Sequence, residues 1–116
     1  MNELNVITLI GRIVNEAELK TSAKGKSHLS ITLANHSVSK EDKEETNFFK
    51  VRLWGKLAEN TREYLKKGKL IAVCGRLKQY AFDSPAGDRI MIVEIVASQL
   101  QFLGGGNGKG KKKAEV

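Results

Sequence analysis

Seven residues, FFKVRLW at positions 48–54, constrain this chain more than any other stretch. In a β-strand successive side chains point to opposite faces, so Phe48, Lys50, Arg52 and Trp54 share one surface while Phe49, Val51 and Leu53 share the other. The apolar set reads as a core face. The other set does not, because two cations buried against apolar neighbours would be left without partners. It faces either solvent or a ligand that accepts both rings and cations, and a chain of phosphates carrying unstacked bases is such a ligand. Taken alone, this strand is equally well explained as an ordinary exposed antiparallel strand.

A second strand repeats the pattern. In residues 70–82, LIAVCGRLKQYAF, the positions Arg76, Lys78, Tyr80 and Phe82 lie on one side, with Ile71, Val73 and Leu77 on the other. Solvated faces usually mix acids with bases, yet these two strands place eight ring or cation residues together without a carboxylate. That recurrence favours a nucleic-acid face.

The rest of the chain supplies the other walls of a small β domain. Residues 4–14, LNVITLIGRIV, form an apolar β-branched run bent at Gly11, and the match between LIGRI at 9–13 and VCGRL at 73–77 suits two strands turning corners of one barrel. A polar stretch at 15–27 holds the turn Lys24-Gly25-Lys26. Residues 27–35 alternate Leu29, Ile31 and Leu33 against His28, Ser30, Thr32 and Ala34, a half-buried strand with His28 as a plain polar-face residue. Residues 36–45 are charged and read as a long mobile loop. From 56 to 67 the period turns helical, with Leu57, Ala58, Thr61, Tyr64 and Leu65 on one packing stripe and Gly68 just past the helix end. DSPAGD at 83–88 turns the chain into a last strand, RIMIVEIVA onward, ending near Phe102.

Length and charge bound the function. The chain has 116 residues, enough for one core, and a net charge of +7. Four lysines and one glutamate in residues 104–116 account for +3 of it, leaving +4 on residues 1–103. The expected organisation is a binding domain at 1–103 and a disordered Gly/Lys-rich basic tail at 104–116. A single cysteine, Cys74, excludes an internal disulfide and reads as a buried packing thiol. No stretch has the pattern of a signal peptide or a membrane span, so the expected location is cytoplasmic. GGNGKGKK at 105–112 only partly matches a phosphate loop, since Lys112 stands where Ser or Thr would hold a metal ion. His28, His36 and Cys74 are badly spaced for zinc, and no carboxylate cluster suggests magnesium. The expectation is therefore a protein with no metal or cofactor and no catalytic role.

Through NVITLIGRI, EAELK, ITLAN, EETNFFKVRLWGKLAENTREYLKKG, VCGRL and GDRIMIVEIVA, the chain resembles the bacterial single-stranded DNA-binding proteins over residues 5–103. The resemblance implies an all-β OB-fold, a five-stranded barrel with one α-helix between strands three and four, usually assembled as a homotetramer that binds single-stranded DNA during replication, recombination and repair. It also implies that Phe48, Trp54 and Phe82 are stacking positions and that Lys20, Lys50, Lys56, Lys67 and Lys78 match or adjoin phosphate contacts. Arg52, Arg76 and Tyr80 come from the alternation alone. Two features depart from the family pattern. Ser39 stands where many relatives place a tryptophan, and the sequence ends KKKAEV where relatives commonly carry an acidic, phenylalanine-ending tip that recruits other proteins, so that recruitment is not carried over. In this it looks similar to short paralogues without the tip, some of which serve DNA uptake and recombination. Alternative readings are a single-stranded RNA binder, whose bases would stack on the same rings, and a primosome-type interaction subunit of the same fold. Self-association is expected from VITLI at 6–10, an apolar strand at an open barrel edge.

Overall fold

Alternating burial sets the architecture. In the computed structural model, which describes residues 3–103 and 113–115, strand β4 (Glu44–Trp54) buries Val51 and Leu53 completely and turns Lys50, Arg52 and Trp54 outward. It pairs along its whole length with β3 (Ser27–Val38), from His28 opposite Trp54 to Val38 opposite Glu44. Strand β5 (Leu70–Asp83) pairs antiparallel with β6 (Arg89–Leu103), and β6 meets β4 in parallel at Val51/Ile95 and Arg52/Val96. Strand β1 (Ile7–Ile13) closes the ring: it runs beside β5 and then, at Arg12 and Ile13, meets β3. The result is the expected closed five-stranded barrel, to which the two-residue β2 (Lys20–Thr21) adds outside β3.

Ile13, Leu29, Ile31, Leu33, Val51, Leu53, Ile71, Val73, Ile95 and Leu100 fill the interior, and Leu57, Ala58 and Leu65 join that core from the segment after β4. Two glycines mark the closures. A β-carbon at Gly11 would stand 2.9 Å from the Ala34 carbonyl oxygen, where β1 reaches β3. At Gly75 it would collide with the Val96 carbonyl oxygen, beside the register shift at Cys74/Gly75. Backbone crowding at the barrel corners explains both LIGRI and VCGRL.

Several expectations change. The charged segment at 36–45 is mostly hairpin: β3 continues to Val38, β4 starts at Glu44, and only a tight turn closed by Ser39 N–H donating to the Lys43 carbonyl at 2.9 Å remains. Cross-strand pairing overrode local polarity. The helix α1 (Gly55–Thr61) is half the expected length. Leu65 is buried past its end, Tyr64 is 49% exposed with its ring centroid 5.9 Å from that of Phe102 at an interplanar angle of 65°, and Gly68 donates to the Ile13 carbonyl at 2.7 Å instead of capping a helix. Phe49 and Leu77, on the apolar sides of their strands, are 38% and 45% exposed even though their ladder partners Leu33 and Ile95 are buried in the core. Cys74 is half-buried, its Sγ 3.8 Å from Thr8 Oγ1, and is no core thiol. The tail expectation falls mostly outside the described residues, but Lys113–Glu115 form a short strand β7 antiparallel to Gln99–Gln101 of β6 instead of lacking structure. Strand β1 is paired on both sides at its C-terminal end, so the open edge reduces to Ile7–Leu9, which pair only with β5.

Candidate nucleic-acid interface

Register brings the ring and cation residues onto one outer face of the sheet. Across β3 and β4, His28 faces Trp54, Ser30 faces Arg52, Thr32 faces Lys50 and Ala34 faces Phe48; Lys20 of β2 faces His28 in turn. Across β5 and β6, Arg76 faces Val96, Lys78 faces Glu94, Tyr80 faces Ile92 and Phe82 faces Ile90, and the contact of Arg52 with Val96 joins the two hairpins. Directly opposed residues project to the same side. Phe48, Lys50, Arg52, Trp54, Lys20, Arg76, Lys78, Tyr80 and Phe82 therefore share one surface. Lys56 and Lys67 lie outside the strands, so register does not place them: Lys56 is exposed in the first turn of α1, and Lys67 lies in the turn that Gly68 ties to the end of β1.

The rings differ in how they are held. Phe48 and Phe82 are 63% and 47% exposed and stand free near the arms. Trp54 is half-buried at the barrel end of β4, with the His28 ring 4.8 Å away at 38°, Lys26 Nζ 5.6 Å from its centroid and the Arg52 guanidinium at 5.9 Å. Lys78 Nζ lies 5.1 Å from the Tyr80 ring. Cations over ring faces hold the rings while leaving charge near solvent.

Arg52 behaves differently from the other cations. Its Nε and Nη2 donate to the two carboxylate oxygens of Glu94 at 3.2 and 3.1 Å, and Glu94 is 4% exposed. A bidentate pair of this kind has no net charge to offer a phosphate, and breaking it would strand a buried carboxylate. Residues 48–54 and 76–82 bring no carboxylate to this face themselves, but one arrives from β6, a strand whose register the sequence does not show. The alternation also missed Lys26 and His28 beside Trp54. The one available signal was the Lys24-Gly25-Lys26 turn, which cannot be placed without the β3 pairing. Among the described residues, no group of three or more His, Cys, Asp or Glu side chains is arranged to hold a metal, and no helix is long and apolar enough to cross a membrane.

The profile of the single-strand binding protein family matches residues 4–103. The chain belongs to this family. It is 39% identical over 113 residues to single-stranded DNA-binding protein 3 of Clostridium acetobutylicum, covering 96% of this chain and 78% of the relative. It is 35% identical over 113 residues to single-stranded DNA-binding protein A of Bacillus subtilis, covering 92% and 66% respectively. Among solved structures, the SSB of Plasmodium falciparum in complex with ssDNA superimposes with a TM-score of 0.81 at 28% identity, covering 90% of this chain and all of that one. The barrel is thus an OB-fold, as the resemblance implied.

Proposed function

We propose that this chain binds and protects single-stranded DNA, without catalysis and with little dependence on base sequence, in DNA replication, recombination and repair. The observation that carries this reading is the joining of two hairpins into one face where Phe48, Trp54, Tyr80 and Phe82 alternate with Lys20, Lys50, Arg76 and Lys78. Stacking accepts any base and phosphate contacts ignore sequence, so this surface suits an unwound strand. The names of the relatives, and the strand bound to the Plasmodium protein, support the same conclusion. The working form is a homotetramer in the cytoplasm, at the nucleoid. Ile7–Leu9 carry backbone groups on the side away from β5 with no ladder partner among the described residues, and Leu4 and Val6 just before them are 92% and 70% exposed, so a second copy has both an edge and apolar surface to cover.

The test is titration with oligo-dT at several salt concentrations, following the fluorescence of Trp54, the single tryptophan. Strong quenching and affinity that falls as salt rises are expected. Binding that leaves the indole signal unchanged would remove Trp54 from the interface, and equal competition by a matched RNA would widen the ligand class. Sedimentation at working concentration reads the assembly, and a monomer mass refutes the tetramer.

A further inference from the structure

The geometry points to His28 as a neutral hydrogen-bond donor to the DNA backbone, held in one tautomer by a relay that starts at the buried carboxylate of Glu94. This rests on the functional reading above and adds a contact to it. Glu94, 4% exposed, takes two hydrogen bonds from Arg52 and so fixes the plane of the guanidinium. Arg52 Nη1 then lies 3.3 Å from His28 Nδ1. Arginine has no acceptor, so in that contact Nδ1 must accept. A neutral imidazole that accepts at Nδ1 carries its proton on Nε2, and the second nitrogen becomes a donor. Among the described residues nothing accepts from Nε2.

The surroundings say what it would meet. The imidazole rests against Trp54 at 4.8 Å, Lys20 stands directly across the β2–β3 register, and Lys26 lies over the Trp54 ring. Lys20 and Lys26 make no ion pair among the described residues, and although Glu59 lies near enough to accept from Ser27 Oγ at 2.8 Å, the two lysines leave positive charge beside Trp54, which draws the anionic oxygens of a strand whose base stacks there. A phosphate oxygen is therefore the acceptor for Nε2–H. Arg52 and Glu94 act here as positioning residues, which gives a role to a cation whose charge is already neutralised.

The experiment compares the full chain with His28→Phe, His28→Gln, Arg52→Met/Glu94→Leu and Lys26→Ala, using anisotropy of labelled oligo-dT and oligo-dC over a salt series. His28→Phe keeps a flat ring beside Trp54 and removes the donor, and should weaken both oligonucleotides about tenfold or more, the effect of one hydrogen bond to a charged acceptor. Its salt slope should match wild type, because no cation is lost. Lys26→Ala should instead flatten the slope. His28→Gln places an amide N–H near the position of Nε2 and should recover most of the loss. The Arg52→Met/Glu94→Leu pair should weaken binding as His28→Phe does. Ring ¹⁵N spectra of the free wild-type protein should show the Nε2–H tautomer. Unchanged affinity in His28→Phe alongside loss in Trp54→Ala overturns this inference and leaves the functional reading standing. A loss confined to one base, a flattened slope in His28→Phe, or the Nδ1–H tautomer also overturns it. Failure of the wild-type chain to bind either oligonucleotide overturns the functional reading, and this contact with it.

Discussion

Strands β4 and β5 carry the same kinds of side chain on the same face, yet their cations meet different fates. On β4, Arg52 is gripped by Glu94 and faces His28, with Trp54 half-buried among cations. On β5, Arg76 and Lys78 are exposed and make no ion pair among the described residues, even though Lys78 stands directly opposite Glu94 in the ladder. One acid cannot serve both strands, and Arg52, with its planar fork, takes both carboxylate oxygens where a lysine would offer a single point of charge. The lesson is that a strand's own composition sets which groups face outward. Its neighbour sets which of them keep a free charge.

Three measurements sharpen or break this contrast. The largest effect concerns stability. Arg52→Met alone should cost about 3 kcal/mol in urea unfolding, because Glu94 would remain buried without a partner, while adding Glu94→Leu should restore most of it. An Arg52→Met variant as stable as wild type would mean that the pair is not a structural unit. Next come the rings. Trp54→Ala and Phe82→Ala should each weaken oligo-dT binding by about 1–3 kcal/mol, with Trp54 toward the upper end because its orientation is set by His28, Lys26 and Arg52. A greater loss for Phe82→Ala would invert the ranking of the two hairpins. The smallest effect is on the salt slope. Lys78→Ala should reduce the slope of log K against log salt by about 0.7, the contribution of one single-strand phosphate. Arg52→Met/Glu94→Leu should leave that slope where it is, and an equal reduction in both would show that Arg52 does reach phosphate.

Much of the fold was legible because its signals are local. Period-two alternation identified the inward set Leu29, Ile31, Leu33, Val51, Leu53, Ile71 and Val73, all of them buried, and the glycines at 11 and 75 marked the barrel corners. The misreadings arose where distant segments decided the outcome. Residues 36–45 look like loop until the two strands are aligned, after which hairpin pairing supplies their backbone partners. The helix shortened because Leu65 reaches the core from a turn as well as from a helix, so an apolar period alone overstates its length. Phe49 and Leu77 sit on the apolar sides of their strands, but alternation says nothing about where the core stops.

By itself the sequence determined which side chains can share a face, since alternation follows from the geometry of an extended chain, and it determined that rings and cations gather outside a small apolar barrel. Only the tertiary structure decided that Glu94 reaches Arg52 and that Lys26 and His28 flank Trp54. The physical reason is that charge pairing and ring contact act over a few ångströms between strands far apart in the chain, and register, which sets those distances, is fixed by the packing of the whole barrel.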